Sequence, residues 1–230
     1  MSEVTDKIRS RGQWDVVIRP VAFVPDRIPY DQLDEIIPSI AVRMRGWPVP
    51  YANFGRHELL RGQDWVGQDV DASMVSMFEA WRLFMSGQFT HLRAVSADWR
   101  GGAERANVPQ GFDSVIEIWE ILYYVTEVFE LAARLALGPA GDDPMFVSAT
   151  LEGLEGRGLV VGQQNRVPFF EPYRSHVPSF SQAIEISRDK LVADGRSEAL
   201  KMSREFFLRF GWKPSLDQLL DLQRDLTEKT

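Results

Sequence analysis

Residues 113–137 run DSVIEIWEILYYVTEVFELAARLAL and are followed by Gly138-Pro139. Asp113 or Ser114 can accept hydrogen bonds from the free N–H groups of a first helical turn, and Gly-Pro cannot continue a helix. The stretch therefore predicts one helix over about 113–137. Its apolar residues lie nearly all round, with Val115, Ile118, Trp119, Ile121, Leu122, Val125, Phe129 and Leu135 on different sides. Such a helix is buried on most sides, so the rest of the chain is expected to pack around it.

On the N-terminal side the periodicity changes from helix to strand. Residues 15–24, DVVIRPVAFV, are rich in β-branched side chains and predict a strand, with Pro20 suggesting an edge position. Asp31 can cap a short helix that Pro38 should stop. Ile40, Val42 and Met44 alternate with Ala41, Arg43 and Arg45, which is strand spacing, and Gly46-Trp47-Pro48-Val49-Pro50 makes a rigid turn. Three strands of an antiparallel meander are expected at 65–71, 79–85 and 88–96, with Ser86-Gly87 at a tight turn. One face of the second strand should carry Trp81, Leu83 and Met85, and the other Arg82 and Phe84. Residues 98–111 are polar and Gly-rich, a long surface loop or a possible subdomain boundary within a single domain over 1–230.

On the C-terminal side, 145–152 alternates and Glu155-Gly156 suggests a hairpin into 158–161, with a short strand at 183–187. Ser197 is expected to begin an amphipathic helix that Gly211 closes, carrying a Glu205–Arg209 pair. Ser215 with Gln218 makes a capping box for a last helix. The expected fold class is therefore α+β: a mainly antiparallel sheet packed on the long buried helix, with two C-terminal helices.

Composition excludes several classes. An apolar share of 44% with seven Trp and fourteen Phe supplies a core and argues against disorder. No apolar run reaches the roughly 18–20 residues of a membrane span, and residues 1–11 lack a signal-peptide core. Cysteine is absent, so thiolate metal sites and disulfides are impossible. These features lead to the expectation of a cytoplasmic protein. The net charge of −7 disfavours nucleic-acid binding by the chain itself. The 21 Arg against 5 Lys suit interfaces and internal ion pairs, although the plainer reading of such a bias is genomic base composition.

Three constellations bear on chemistry. Glu117, Glu120, Glu127, Glu130 and Arg134 lie on the long helix, and carboxylates paired there could act as acid and base or bind a metal. The missing Glu-x-x-His motif argues against a di-iron site, so the plainer expectation is a polar stripe with Arg134 paired to Glu130 or Glu127. His57, His91 and His176 are far apart, and His91 is expected to face outward near Arg93 and Asp98. No Gly-x-Ser-x-Gly elbow exists to seat a nucleophile, and the glycines at 153, 156 and 158 suit a hairpin better than a phosphate loop. Finally, Arg43, Arg45, Trp47, Arg82, Phe84 and Arg93, interleaved with Trp81 and Phe89, could form a binding surface.

Several phrases are distinctive: Arg45-Gly46-Trp47, the run 81–89 (WRLFMSGQF), the run 126–135 (TEVFELAARL), 153–157 (GLEGR) and 206–212 (FFLRFGW). Together they resemble the bacterial module that follows the Schlafen AlbA-type DNA-binding domain, over nearly the whole chain. Proteins containing it are associated with transcriptional regulation, mobile elements and phage defence. This chain is expected to lack the N-terminal domain, so the resemblance transfers neither DNA binding nor any catalytic residue. It implies a non-catalytic interaction or sensing subunit acting through a protein partner or as a homodimer, with no cofactor and no metal. The alternative is a hydrolase or nucleotide-processing enzyme using Glu127, Glu130 or His91.

Overall fold

Along QWDVVIRP every second side chain is apolar and sized for a core. In the computed structural model, which describes residues 2–52, 59–101, 108–162, 168–171 and 173–227, this stretch is β1 (Gln13–Pro20), with Trp14, Val16 and Ile18 buried. It lies mid-sheet rather than at an edge, between β5 (Phe89–Ala94) and β7 (Met145–Glu152), antiparallel to both. Pro20 is tolerated because pairing with β5 ends at Ile18, so β1 has a neighbour on one side only where the proline sits.

The meander follows as expected. β3 (Trp65–Ala72) pairs with β4 (Met77–Phe84), and β4 with β5 across the turn at Gly87, whose φ of 83° suits glycine. A two-residue β2 (Leu60–Arg61) closes one edge, and β10 (Ser179–Ile186) lies on the far side of β7. The result is a seven-stranded antiparallel sheet in the order β10-β7-β1-β5-β4-β3-β2. The helix α1 (Glu3–Arg9) lies against the outer face, closing a small cluster of Ile8, Phe78, Ala80, Leu92 and Ala94.

The inner face carries the main core and the long helix α3 (Ile118–Leu137), where Trp119, Leu122, Val125 and Phe129 are almost inaccessible. The helix starts later than expected. Val115, Ile116 and Glu117 form β6 (Val115–Glu117), which pairs in parallel with β8 (Gly158–Val160). The β-branched pair Val115-Ile116 suits this strand, and neither Asp113 nor Ser114 caps the helix; its N-cap is Glu117. β8 also pairs with β9 (Tyr173–Arg174), so the turn at Gly156 carries the chain into a second, three-stranded sheet rather than closing a hairpin on β7.

Three further expectations are corrected. The helix α2 (Leu33–Ile40) runs through Pro38 to Ile40, because Ile36, Ile37 and Ile40 are buried and only one backbone bond is forfeited in the last turn. Asp31 belongs to a preceding 3-10 turn. Ile40, Val42 and Met44 form no strand; Val42 makes only a bridge to Val49 within a loop. Finally, α4 (Arg188–Arg209) begins at Ser187, whose hydroxyl accepts from Lys190 N, and Ser197 lies inside it. Gly195 sits where α4 crosses α3 at Phe129. The last helix, α5 (Leu216–Thr227), has the expected reciprocal cap between Ser215 and Gln218, at 2.9 and 3.1 Å.

Candidate functional site

A polar layer lies inside the molecule, between the β3–β5 part of the sheet and α3. Strand alternation turns Gln68, Glu79, His91 and Arg93 inward, and all four are buried. α3 supplies Glu120, Tyr124 and Glu127 to the same layer. His91 therefore points into the core, not outward. Its Nδ1 is 3.0 Å from the Tyr124 hydroxyl, and its Nε2 is 3.4 Å from Glu79 Oε2. Tyr51 N also donates to Glu79 Oε1, while Arg93 stacks 4.9 Å over the Tyr124 ring.

Charge in this layer is balanced by specific neighbours. Burial works to raise the Glu79 carboxyl, but the His91 imidazole, Arg93 and the Tyr51 N–H hold it below its ordinary value. Glu120 has weaker compensation. Burial pushes it up despite the bond from Ser96 N at 3.0 Å, and its Oε2 has no hydrogen-bond partner among the described residues. Burial likewise pushes the Tyr124 phenol up, which keeps it neutral. The Glu79–His91–Tyr124 chain is closed to solvent.

The carboxylates singled out on the helix are engaged elsewhere than expected. Glu127, fully buried, is held by Arg45, whose Nε lies 2.8 Å from Oε1 and whose Nη2 reaches Oε2. Burial alone would lower Arg45, but the charge and hydrogen bonds of Glu127 raise it above its ordinary value. Glu130 pairs with Arg196 of α4. Arg134 is exposed and donates to the Ala41 carbonyl, so the expected pairing with Glu130 or Glu127 is absent. The backbone oxygens around the end of α2 lie within its reach, whereas Arg196 and Arg45 occupy the two carboxylates. Glu117 binds Arg100.

The Arg and aromatic residues do not form one surface. Arg43 and Trp47 are exposed in the 41–52 loop, and Arg45 turns inward to Glu127. Arg82 lies on the outer face, bound to Asp69 at 2.6 Å and stacked on Trp65, with Phe84 half-buried nearby on the same strand. Trp81, Phe89 and Arg93 alternate to the other side and are buried. Two residues apart along a strand share a face and adjacent ones do not, which divides the set. His176 is exposed and far from the layer in sequence, and His57 lies outside the described residues.

A feature without a sequence signal is an open cleft of about 840 Å³ at the end of the sheet where α1 joins β1. Arg9, Arg11, Asp15, Asp113, Glu152 and Arg157 line it. Its floor is a buried ion pair in which Arg157 Nη1 and Nη2 bind the two Asp98 oxygens at 2.8 and 2.7 Å. Arg157 also donates to Gly153 O and Val115 O, both at 2.8 Å, and Gly12 N donates to Asp98 Oδ2 at 2.9 Å. Burial raises the Asp15 carboxyl, opposed by Arg9 and His91. The lining mixes charges of both signs. Among the described residues no group of three or more His, Asp or Glu is placed to hold a metal, and no helix is long and apolar enough to cross a membrane.

Comparison with protein-family models, with curated proteins and with solved structures gives no match. The functional reading therefore rests on the geometry and on the short phrases quoted above.

Proposed function

We propose that the chain is a non-catalytic interaction and sensing module that acts through a protein partner or a second copy of itself. The observation that carries this reading is the bidentate hold of Arg45 on Glu127. The carboxylate best placed for chemistry is already neutralised and sealed. Glu130 is paired with Arg196, and His91 is closed in by Tyr124 and Glu79. A hydrolase using these groups would need them free and reachable by substrate. The exposed side chains Arg43 and Trp47 are the part of the Arg and aromatic set that can meet a partner, and the polar cleft supplies a place for a small effector.

The resemblance supports a bacterial regulatory or phage-defence setting for this reading, and the cysteine-free composition supports a cytoplasmic location. The test is a panel of phosphodiester, phosphate-ester and nucleotide substrates, with and without divalent metal. No turnover is expected. Metal-dependent turnover that disappears in Glu127→Gln would overturn the reading. When the protein is purified from its own host, Arg43→Glu or Trp47→Ala should release a copurifying partner without changing the far-UV spectrum.

A further inference from the structure

The two edges of the seven-stranded sheet are built differently. At one edge β2 has two residues, and Arg61 there is tied to Asp34 by an ion pair. A short, charged edge offers little to another strand. At the other edge β10 gives all eight residues to β7, in an unbroken register from Ser179↔Glu152 to Ile186↔Met145. Among the described residues its opposite side has no strand against it, and none of them makes a backbone bond to 179–186 outside the β7 ladder.

The sequence of this edge, SFSQAIEI, contains no Pro, no Lys and no Arg, and Glu185 is its sole charge. The usual protections of an exposed strand are missing. Phe180 and Ile184 pack against the main core yet stay partly exposed at its rim, while Ser181, Ala183 and Glu185 face solvent on the outer side. Alternate residues of this strand turn their backbone donors and acceptors away from β7, and such an edge beside an unfinished core is suited to an added strand.

We propose that two copies of this chain pair antiparallel along β10, across a twofold axis at Gln182, so that their sheets become continuous. This adds a contact at the sheet edge, separate from Arg43 and Trp47, to the interaction reading above and rests on that reading. The register follows from symmetry. A twofold axis perpendicular to the sheet keeps both inner faces on one side, so opposed residues must share a face and the axis must pass beside a residue. With the axis at Gln182, Phe180 meets Ile184 of the second copy on the inner face, twice. Ser181 meets Ala183 on the outer face, Ser179 meets Glu185, and the two Gln182 amides meet each other. An axis at Ala183 would set Phe180 against Ile186, which is already buried in its own core, with Gln182 against Ile184 and Ser181 against Glu185, leaving the partly exposed Ile184 against an amide. Aromatic and β-branched side chains directly opposite one another favour pairing, which selects the first register.

The chain has no cysteine, so a single introduced thiol reports the axis. Untagged protein should be a dimer at tens of micromolar by light scattering and native mass spectrometry. Gln182→Cys should give a disulfide-linked dimer on mild oxidation, because directly opposed Cβ atoms lie within disulfide reach. Ala183→Cys should not, because its symmetry mate lies on the diagonal, about 7–8 Å away. On the solvent face, Ser181→Glu with Ala183→Glu places carboxylates opposite each other twice and should raise the dimer dissociation constant at least about tenfold. Ser181→Glu with Ala183→Lys converts both contacts to opposite charges and should retain the dimer. A dimer indifferent to both pairs, or cross-linked through Ala183→Cys instead, overturns this pairing and leaves the interaction reading intact. A monomer that copurifies with a host protein does the same. A monomer with no copurifying protein overturns both.

Discussion

Glu127 on α3 and Arg45 in the loop after α2 are 82 positions apart in the chain, yet they form a two-pronged ion pair whose carboxylate has no solvent contact. Breaking such a pair leaves an uncompensated charge in the core. Arg45→Ala should therefore cost about 3–5 kcal/mol in urea unfolding. Replacing both residues by methionine removes the stranded charge and should recover most of that loss. A double variant as unstable as the single would locate the cost in packing instead.

Glu120 makes stability depend on pH in a particular direction. Its carboxyl is pushed above the ordinary 4.5 by burial, opposed by Ser96 N, Arg93 and Arg100 and reinforced by Glu117. Between the ordinary value and the raised one, the folded chain keeps a proton that the unfolded chain has released. This contribution is fully present below 4.5 and is lost as pH rises through the folded value. Glu120→Gln keeps an acceptor for Ser96 and removes the titration. Its stability should match the parent in acid and exceed it near neutrality, and a gap independent of pH would count against this account.

Phe129 is fully buried between the sheet and α4, next to Gly195. Phe129→Ala should cost about 3–5 kcal/mol through the cavity it leaves. A loss below about 1 kcal/mol would be the behaviour of a surface position.

Tyr124→Phe is a finer probe of the same region. It preserves the ring that Arg93 and Trp14 pack on but deprives His91 Nδ1 of its partner. A buried acceptor or donor left alone costs about 1–3 kcal/mol, measurable as a lower unfolding midpoint with an unchanged slope.

Gly12 tests the floor of the cleft. A Cβ there would lie 2.1 Å from Arg157 Nη2 and 2.8 Å from Asp98 Oδ2, so alanine must dislodge the guanidinium from its carboxylate. Gly12→Ala should lower stability by about 1–3 kcal/mol, whereas Gly101→Ala, with open space around it, should stay within about 0.5 kcal/mol.

The elements that could be read from sequence are those whose signal is local. The apolar residues lying nearly all round the 20-residue α3, the alternation of Met145–Glu152 and the Ser-Gly turn before β5 each determine their own conformation. Elements decided by distant partners were misread. Val115-Ile116 looks helical until β8 is beside it, and Ser197 looks like a helix start although the helix begins ten residues earlier at Ser187 and passes Phe129 at Gly195. The polar interior follows the same division. A glutamate on an apolar helix needs a counter-charge, and Glu127 has one. Which arginine supplies it is decided by the loop after α2, while the nearby Arg134 reaches the Ala41 carbonyl instead. Arg157 and Asp98 carried no signal because their pairing joins the second sheet to the end of the meander.

The central seat of β1 has a consequence for synthesis. One flank of Gln13–Pro20 is completed by β5, but the other waits for Met145–Glu152, which a ribosome makes much later. Until then the nascent chain carries an unpaired strand edge and an uncovered apolar face, the condition in which partly made proteins associate wrongly. Completion of the sheet also requires closing the large loop between β1 and β7, an entropic demand that slows folding. A host that makes this protein abundantly therefore has reason to shield the growing chain until residues 145–152 have left the ribosome.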